Sequence, residues 1–513
     1  MRSFTTLRNS AWGIVQQVIV CVLSLFSRRV MLETIGQQGV GLNALLTSII
    51  SLLSLAELGI GTAIVFHMYG PIARNDKLHI ARLMHCYKMV YRVIALAILL
   101  IGVCILPFMK WIVRDVSYSN AYVMLIFILF LVQTTSSYFF TYKRSMLIAD
   151  QKQYVIAIFD LIYKVATIIG GIVVLKMTGE LAYYLILLII GTVLNNMLIS
   201  KYVDKQYPYI NEMKERLPGE ELRSIFRDVK NIFVGKLSGV ITTSTDNILI
   251  TAFVGTIQTG LFSNYTIIFN TLVSVTKQLS GGMRGSVGNL IAVEQPEHVK
   301  VVLERMLFMM LLIASFCAGC LTGLVDRFIT LAFGDGLLIG RTAVYILILN
   351  LYIMTLDIPI SSMVAAAGMF RYDKWISIAG TVMNLIVSVI FGKMYGMAGI
   401  LAGTAVTYVV QFSFKLIIFY EKYLKQNGVR IFVKIGLFTL TTVLECMVIA
   451  FLCGQVHVIN AYVSFLICAG ISALLPVVIG SLLFCRTKEF QYTLAIIKTI
   501  CKKLFCRNSN ELA

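Results

Sequence analysis

The chain has 513 residues, of which 58% are hydrophobic and 13% are charged, and its formal net charge is +19. A mean hydropathy of +0.85 excludes an ordinary soluble protein. The basic residues lie in short segments between apolar runs, without a basic domain interleaved with aromatic residues, so the charge does not indicate nucleic-acid binding.

Apolar runs of roughly 20 residues, the length needed to cross a bilayer as a helix, follow one another along the whole chain. Unbroken runs such as 94–106 differ from the alternating pattern of a transmembrane barrel. We therefore predict an all-α polytopic membrane protein with about fourteen transmembrane helices. The predicted spans are 10–32, 38–66, 87–110, 120–142, 153–176, 180–203, 229–255, 260–283, 301–325, 340–366, 374–393, 396–420, 431–453 and 460–484.

The distribution of Lys and Arg predicts the orientation of these helices. With the N-terminus in the cytoplasm, 32 of the 44 Lys and Arg lie in or beside the cytoplasmic segments, and six lie in the outer loops. This bias matches the excess of positive charge on the cytoplasmic side of membrane proteins, so both termini are predicted to be cytoplasmic. The first span contains Gln16, Gln17 and Arg28 and has no convincing cleavage site, so we expect a retained helix and not a signal peptide.

Cysteine and histidine do not form a recognisable site in the sequence. Most of the 11 Cys lie in apolar runs, where they are expected to act as small hydrophobic residues. Cys317 and Cys320 have CxxC spacing inside a span, and the five His are scattered, so neither redox nor metal function is indicated. No phosphate-binding loop or hydrolase arrangement is present. We predict a transporter without cofactor, metal or catalytic residues, driven by an ion gradient, the membrane potential or substrate supply.

A weak internal repeat divides the chain. Residues 36–42 align with 255–261 at an offset of 219, and 176–179 align with 393–396 at an offset of 217. Both pairs fall in equivalent predicted outer turns, and an even number of helices separates the copies, which predicts two parallel six-helix pseudo-repeats. The predicted parts are an N-lobe at 1–203, a cytoplasmic linker at 204–228, a C-lobe at 229–425, two further helices at 426–485 and a basic cytoplasmic tail at 486–513.

Ionisable residues inside the predicted spans are the main functional signal. A charge at the centre of a membrane helix costs about 2.5–3.5 kcal/mol on insertion scales, so such residues usually face a bundle interior or a watery cavity. Arg28 and Arg29 are consecutive near the outer end of the first span, and their side chains therefore point about 100° apart. Either they snorkel to the headgroups, or at least one faces a cavity and binds phosphate or acidic sugar through its planar fork.

Asp246 lies near the middle of the seventh span. The 219-residue offset places Arg28 opposite Asn247, so the two lobes would present opposite charges at related positions. Asp246 is predicted to contact substrate or to couple a proton or cation, and the alternative is a permanent pair with an N-lobe Arg. Asp160 and Lys164 are four residues apart on one helical face and are predicted to form a structural ion pair.

Two lysines and two acids complete the candidates. Lys236 and Lys277, in the seventh and eighth spans, are predicted to add positive charge to the lumen, with snorkelling as the alternative. Glu57 and Asp357 lie where a helix can kink, and Asp357 precedes Pro359 by two residues. Both acids are candidates for gating or coupling.

Six motifs stand out in the two predicted lobes. They are 32–36 (LETIG), 41–43 (GLN), 54–63 (SLAELGIGTA), 69–71 (YGP), 244–250 (STDNILI) and 260–265 (GLFSNY). With these motifs the chain resembles the polysaccharide exporters of the multidrug/oligosaccharidyl-lipid/polysaccharide (MOP) superfamily, and most closely the Wzx-type lipid-linked oligosaccharide flippases. The likeness extends in character along nearly the whole chain.

This resemblance implies a MATE-like fold with two six-helix lobes around a central cavity that opens alternately to the two leaflets. The implied cargo is an undecaprenyl-pyrophosphate oligosaccharide for surface polysaccharide, lipopolysaccharide or exopolysaccharide, in the bacterial cytoplasmic membrane. A cationic lumen suits such a headgroup, a proton or sodium gradient would drive transport, and membrane lipids and polysaccharide-assembly enzymes are candidate partners. The sparse intramembrane Arg favour a neutral or weakly acidic glycan.

Two other functions remain open from the sequence. A cation-coupled multidrug exporter has the same fold but favours acidic and aromatic lumen residues and usually twelve helices. A membrane glycan polymerase or ligase would be an enzyme, and it usually carries a large outer loop, whereas the predicted outer loops here are short.

Overall fold

The computed structural model describes residues 2–57, 60–113, 117–150, 152–212 and 217–495, and within these ranges it contains helices and no strand. Some side chains in these ranges lie outside the description, among them those of 2–18, Lys236 and 278–286. The helices are α1 (Arg2–Leu53), α2 (Ile60–Ala73), α3 (Lys77–Ile105), α4 (Met109–Ile112), α5 (Asn120–Thr141), α6 (Arg144–Ala149), α7 (Gln153–Thr178), α8 (Leu181–Gln206), α9 (Tyr209–Glu212), α10 (Gly219–Phe253), α11 (Thr256–Val293), α12 (Pro296–Phe333), α13 (Arg341–Ala366), α14 (Phe370–Ile418), α15 (Val429–Gly454) and α16 (Ala461–Phe484).

These helices confirm the all-α polytopic fold. Nine helices in the described ranges are long and apolar enough to cross a membrane. Every predicted span follows helical structure where the chain is described, although residues 58 and 59 of the second span lie outside the description. α1 contains the first predicted span and part of the second, and α14 contains nearly all of the eleventh and twelfth; the two helices kink at Gly36 and Gly396.

The glycines that align in the internal repeat all have positive φ. Gly36 and Gly255 have φ angles of 65° and 123°, and Gly179 and Gly396 have φ angles of 66° and 61°. Glycine adopts positive φ readily, whereas other residues are strained there. The ψ angles of Gly179 and Gly396 differ, at 11° and −136°, so the aligned positions share the need for glycine and not one turn geometry.

The two copies of the sequence repeat touch at Gly41 and Gly260, which follow Gly36 and Gly255 by five residues. A Cβ atom on Gly41 would lie 2.0 Å from the carbonyl oxygen of Thr256, and one on Gly260 would lie 2.5 Å from the carbonyl oxygen of Gln37. Gln37 and Thr256 are themselves related by the 219-residue offset. The contact is thus reciprocal, as at a two-fold symmetric interface, and only glycine fits because backbone fills the space on each side.

By its internal contacts the chain divides into two units. The first unit comprises Val18–Ile267 and Ser377–Ile400, and the second comprises Met1–Gln17, Ile268–Ile376 and Leu401–Ala513. Buried residues of α1–α3 and α5–α8 form the core of the first unit. In the second unit, α12–α15 supply most of the core, and α15 and α16 pack against α12. The predicted lobe boundaries stay predictions.

Polar contacts connect the chain on either side of α6 to the C-terminal end of α8. Lys143 Nζ lies 2.6 Å from an Asp204 carboxylate oxygen. Nearby, Lys152 Nζ lies 2.8 Å from Asp150 and donates to the Tyr207 hydroxyl at 2.9 Å. Burial opposes ionisation of Asp150, but hydrogen bonds from Lys152 and Tyr207 outweigh it, and the pKa of Asp150 is lowered.

Candidate functional site

A cavity of about 790 Å³ lies within the first unit, bordered by α1, α2, α3, α5 and α6. Polar groups converge there because side chains three or four residues apart share one face of a helix. We call it the tyrosine cavity. Its polar lining residues are Ser51, Ser54, Glu57, Tyr69, Tyr87, Tyr91, Thr134, Thr141, Arg144 and Ser145.

Glu57 ends a chain of hydrogen bonds in the tyrosine cavity. The Ser145 hydroxyl donates to the Tyr87 hydroxyl at 3.1 Å, Tyr87 donates to Tyr91 at 3.0 Å, and Tyr91 donates to a Glu57 carboxylate oxygen. Among the described side chains, no Lys or Arg forms an ion pair with Glu57. The carboxylate is therefore held by neutral hydroxyl donors, and its predicted gating or coupling role stays a prediction.

Arg144, at the start of α6, brings a cation to the same cavity. Its guanidinium donates to both oxygens of Asp160, at 2.8 and 3.0 Å, and Asn195 donates to the same carboxylate at 2.9 Å. This corrects the predicted pair of Asp160 with Lys164, because among the described residues Asp160 pairs with Arg144 instead. The planar guanidinium matches both carboxylate oxygens, while Lys164 is exposed on α7.

Arg28 and Arg29 point in different directions, as their spacing predicts. Arg28 is partly buried and donates to the Ser263 hydroxyl at 3.2 Å. Arg29 forms a 2.9 Å ion pair with Glu33 on its own helix, and both side chains are more than half exposed. Such a surface pair contributes only a few tenths of a kcal/mol. Arg28 is therefore the stronger candidate for a cargo contact, and the role of Arg29 stays a prediction.

Asp246 is buried in α10, with 8% of its surface exposed. The neighbouring Asn247 donates to the Ser48 hydroxyl of α1 at 2.8 Å. A buried carboxyl group in a membrane helix is costly unless it is protonated, hydrogen-bonded or paired. This burial suits a coupling residue and a structural residue equally, so both predictions for Asp246 stay open.

A second cavity, of about 580 Å³, lies within the second unit between α11, α13 and α14. We call it the lysine cavity, because Lys277 is exposed on its wall beside Asp357, Tyr408 and Gln411. Lys415 Nζ lies 3.0 and 3.1 Å from the two Asp357 oxygens. The Asp357 charge is thus neutralised, and Lys277 is available to a ligand. Gating by Asp357 stays a prediction.

The side chain of Lys236, a predicted lumen cation, lies outside the description.

Several groups of the two cavities were not predicted from the sequence. In the sequence, Arg144 resembles the cytoplasmic-loop cations that determine topology, and Lys415 resembles a lysine whose ammonium group extends to the headgroups. Only the four-residue spacing of Tyr87 and Tyr91 gave a usable signal. In the described part of the chain, no three His, Cys, Asp or Glu side chains are grouped closely enough to hold a metal ion.

The sequence model of a family described as "Polysaccharide biosynthesis protein" matches residues 6–281, more than half of the chain. The chain belongs to this family. The family is part of the MOP superfamily of flippases. No curated protein matches the chain at a significant level.

Solved structures share the fold of this family member. "Lipid II flippase MurJ, inward closed conformation" aligns with a TM-score of 0.63 and 17% identity, over 92% of this chain and 99% of that chain. "Inward-facing conformation of a multidrug resistance MATE family transporter of the MOP superfamily" aligns with a TM-score of 0.60 and 15% identity, over 78% and 97%. "Crystal structure of eukaryotic MATE transporter AtDTX14" aligns with a TM-score of 0.53 and 12% identity, over 85% and 99%.

Family membership and fold together identify a multi-pass membrane transporter of the flippase type. At these identities the structural matches establish the fold and leave the cargo open. The chemistry of the two cavities bears on the cargo.

Proposed function

We propose that this protein flips an undecaprenyl-pyrophosphate-linked oligosaccharide from the inner to the outer leaflet of the bacterial cytoplasmic membrane by alternating access. The product would enter surface polysaccharide, either lipopolysaccharide or exopolysaccharide. The observation that carries the proposal is the tyrosine cavity, in which hydroxyl groups and a guanidinium surround about 790 Å³ in a member of the polysaccharide biosynthesis family.

The cavity chemistry suits a sugar attached to a pyrophosphate. Serine, threonine and tyrosine hydroxyls both donate and accept hydrogen bonds, as sugar hydroxyls require. Arg144 lines the cavity but already binds Asp160, so it orders one wall and is a poor free ligand for phosphate. Arg28 has a single neutral partner, Ser263, among the hydrogen bonds given above, and Lys277 is exposed in the lysine cavity. Each of these cations is a proposed phosphate ligand within its own unit.

The polyprenyl chain would stay in the bilayer while the headgroup crosses. Two helices beyond the predicted lobes, α15 and α16, carry exposed apolar side chains along their length, such as Leu440, Val448 and Leu466. In a membrane helix such side chains face lipid. We propose that these helices border the path of the lipid chain.

Transport would be driven by a proton or sodium gradient, with both termini in the cytoplasm. Asp246 is the proposed coupling residue, because a carboxyl group that is 8% exposed in a membrane helix changes its surroundings strongly when it gains or loses charge. The repeat aligns Arg28 with Asn247, the residue after Asp246. The transport cycle would therefore present a positive and a negative side chain to the cargo in turn.

A leaflet-transfer assay tests this function. Proteoliposomes would carry labelled undecaprenyl-pyrophosphate oligosaccharide, and an impermeant sugar-modifying enzyme would report which leaflet holds the label. We expect protein-dependent transfer that Arg28→Ala or Asp246→Ala reduces without loss of folded protein, while Arg29→Ala, the matched control, retains it. Failure of folded wild-type protein to transfer the label, with or without an ion gradient, would contradict the proposal.

The cluster around Glu57 favours one alternative, a cation-coupled multidrug exporter. A carboxylate beside Tyr69, Tyr87 and Tyr91 could bind a lipophilic cation through charge and ring faces. Export of such a cation from the same proteoliposomes, blocked by Glu57→Gln, combined with no glycan transfer, would establish this alternative.

A further inference from the structure

Glu445 is a buried acid that plays no part in the proposed transport site. It lies in the middle of α15, and 4% of its surface is exposed. The Ser315 hydroxyl on α12 donates to its Oε2 at 2.9 Å, and the Thr442 hydroxyl donates in turn to Ser315 at 3.1 Å. Its Oε1 is buried and has no hydrogen-bond partner in the structure.

No positive charge compensates Glu445 among the described side chains. The titratable groups near enough to interact with it are Cys320 on α12, Tyr352 on α13 and Cys446 on α15 itself, all neutral in their ordinary states. The fourth helix, α16, contributes Pro476 at the same contact. An ionised carboxyl group without a partner in an apolar interior is very costly, and the usual outcome is that it binds a proton.

The space around the free oxygen suits a proton better than a metal ion. A Cβ atom on Gly319 would lie 3.1 Å from Oε1 and 2.9 Å from both Ile449 and Pro476. The oxygen therefore sits in a glycine notch between two apolar side chains. A sodium ion needs several oxygen ligands around it, whereas a proton needs only the carboxyl oxygen.

Two cavities of the second unit approach Glu445 from opposite ends of the same helices. One, of about 380 Å³, has Glu304, Lys434 and Glu489 in its wall and extends to Leu311 and Thr441. Leu311 and Thr441 are each four residues before Ser315 and Glu445, which places them on the same helical faces one turn away. The volume is enough for several water molecules, at roughly 30 Å³ each.

The other cavity, of about 600 Å³, begins one turn beyond Glu445 in the opposite direction. It is lined by Gly323, which follows Gly319 by four residues, and by Asp326, Arg327, Arg341 and Ala450. Glu304 and Arg327 both lie on α12 and are separated by roughly 35 Å along the helix, about the thickness of a membrane. Glu445 thus lies in an apolar region between two cavities, each of which has charged residues in part of its wall.

We propose that Glu445 is a proton-binding site that relays protons between these two cavities. A proton from water in one cavity binds the carboxylate and forms the neutral acid. The acid then returns its proton to water in the other cavity and becomes the carboxylate again, so that one proton crosses for each cycle. This inference is independent of the cargo and of the proposed flippase site.

Infrared difference spectroscopy of the purified full chain in liposomes tests the binding site, because a carboxylic acid has a C=O stretching band that a carboxylate lacks. We expect this band at neutral pH in the wild type, its loss in Glu445→Gln, and its retention in Glu304→Gln, whose carboxylate lies 2.9 Å from Lys434. Transfer to D₂O should shift the band. A wild-type spectrum without the band, or a band unchanged by Glu445→Gln, would overturn the proposal.

A second variant tests Glu445 as the source of the acid band if Glu445→Gln does not fold. Ser315→Ala keeps the carboxyl group and removes its 2.9 Å hydrogen bond, so the acid band should move in frequency, and an unmoved band would count against Glu445 as its source. The relay itself is tested with a pH-sensitive dye inside the liposomes under an imposed proton gradient. We expect protein-dependent proton entry to be lost in Glu445→Gln and kept in Glu297→Gln, which changes an exposed acid of α12 outside the lining of both cavities. Equal entry in both variants would overturn the relay.

Discussion

Glu57 in the tyrosine cavity accepts a hydrogen bond from a phenol, whereas Asp357 in the lysine cavity is paired with the ammonium group of Lys415. The 219-residue offset aligns Glu57 with Thr276, the neighbour of Lys277. Lys277 is one residue away from the position that aligns with Glu57. In the lysine cavity Lys415 balances the charge of Asp357, which leaves the positive charge of Lys277, whereas the tyrosine cavity combines the Glu57 carboxylate with neutral hydroxyls. The tyrosine cavity therefore suits sugar or cation, and the lysine cavity suits phosphate.

The first prediction tests the repeat on which this comparison depends. Ala at Gly41 or Gly260 would place a Cβ atom 2.0 or 2.5 Å from a backbone carbonyl oxygen. We expect each substitution to lower the free energy of unfolding by similar amounts, about 3 kcal/mol, at the upper end of overpacking effects. Thermal unfolding in detergent would measure it. Gly436→Ala, where no atom lies within 4 Å of the new Cβ, is the control, and unequal effects of the first two would weaken the repeat.

The second prediction concerns the wall of the tyrosine cavity. Arg144→Ala leaves Asp160 without its bidentate partner, and we expect a loss of about 2 kcal/mol, less than for a fully buried pair because both side chains are partly exposed. Asp160→Asn in the same chain should restore part of the loss by removing the unpaired charge. Lys164→Ala should change stability by less than about 0.5 kcal/mol. A larger effect of Lys164→Ala than of Arg144→Ala would reinstate the pair expected from the sequence.

The third prediction separates the two lysines of the lysine cavity. Lys415→Ala should lower the melting temperature, because it leaves Asp357 uncompensated, with a cost of about 1–3 kcal/mol. Lys277→Ala should leave the melting temperature unchanged and weaken binding of a pyrophosphate-bearing ligand. Thermal unfolding with and without inorganic pyrophosphate measures both effects. Stabilisation by pyrophosphate that survives in Lys277→Ala would remove Lys277 from the proposed site.

The smallest effect is expected at Asp150, between α6 and α7 and outside the lining of both cavities. The pKa of Asp150 is lowered in the folded chain, so its carboxylate stabilises the fold above the unfolded pKa, near 3.9, and this contribution is lost as the pH falls through the folded pKa. Acidification should therefore destabilise the wild type more than Asp150→Asn. The difference should stay below about 1 kcal/mol because the group is partly exposed to solvent. An equal pH response would exclude Asp150 as a source.

Particular residues explain how far the sequence could predict this molecule. The helices were predictable because hydropathy and span length are local properties, and the turns at Gly36 and Gly396 were marked by glycine and by the repeat. The partner of Asp160 was not predictable from the sequence. Lys164 is its neighbour on α7, whereas its partner Arg144 lies on α6. Asp357 and Lys415 are 58 residues apart, and no periodicity links them. The rotation of each helix about its axis comes from packing, which the sequence does not display.

The environment of Glu445 was likewise not predictable from the sequence. In the sequence it is a single acid within an apolar run, and such an acid could face lipid, water or protein. The hydroxyl of Ser315, on a helix 130 residues earlier, and the notch at Gly319 give it a defined environment. Both features depend on how α12 packs against α15.

The leaflet-transfer assay with paired variants tests the division of roles between the cavities most directly. With labelled undecaprenyl-pyrophosphate oligosaccharide, we predict that Lys277→Ala slows transfer at every pH, because it removes a phosphate ligand. Glu57→Gln should instead raise the glycan concentration needed for half-maximal transfer, because it weakens the acceptor that orders the Tyr91 hydroxyl in the tyrosine cavity. Transfer at the wild-type rate and with the wild-type glycan dependence in both folded variants would contradict the account.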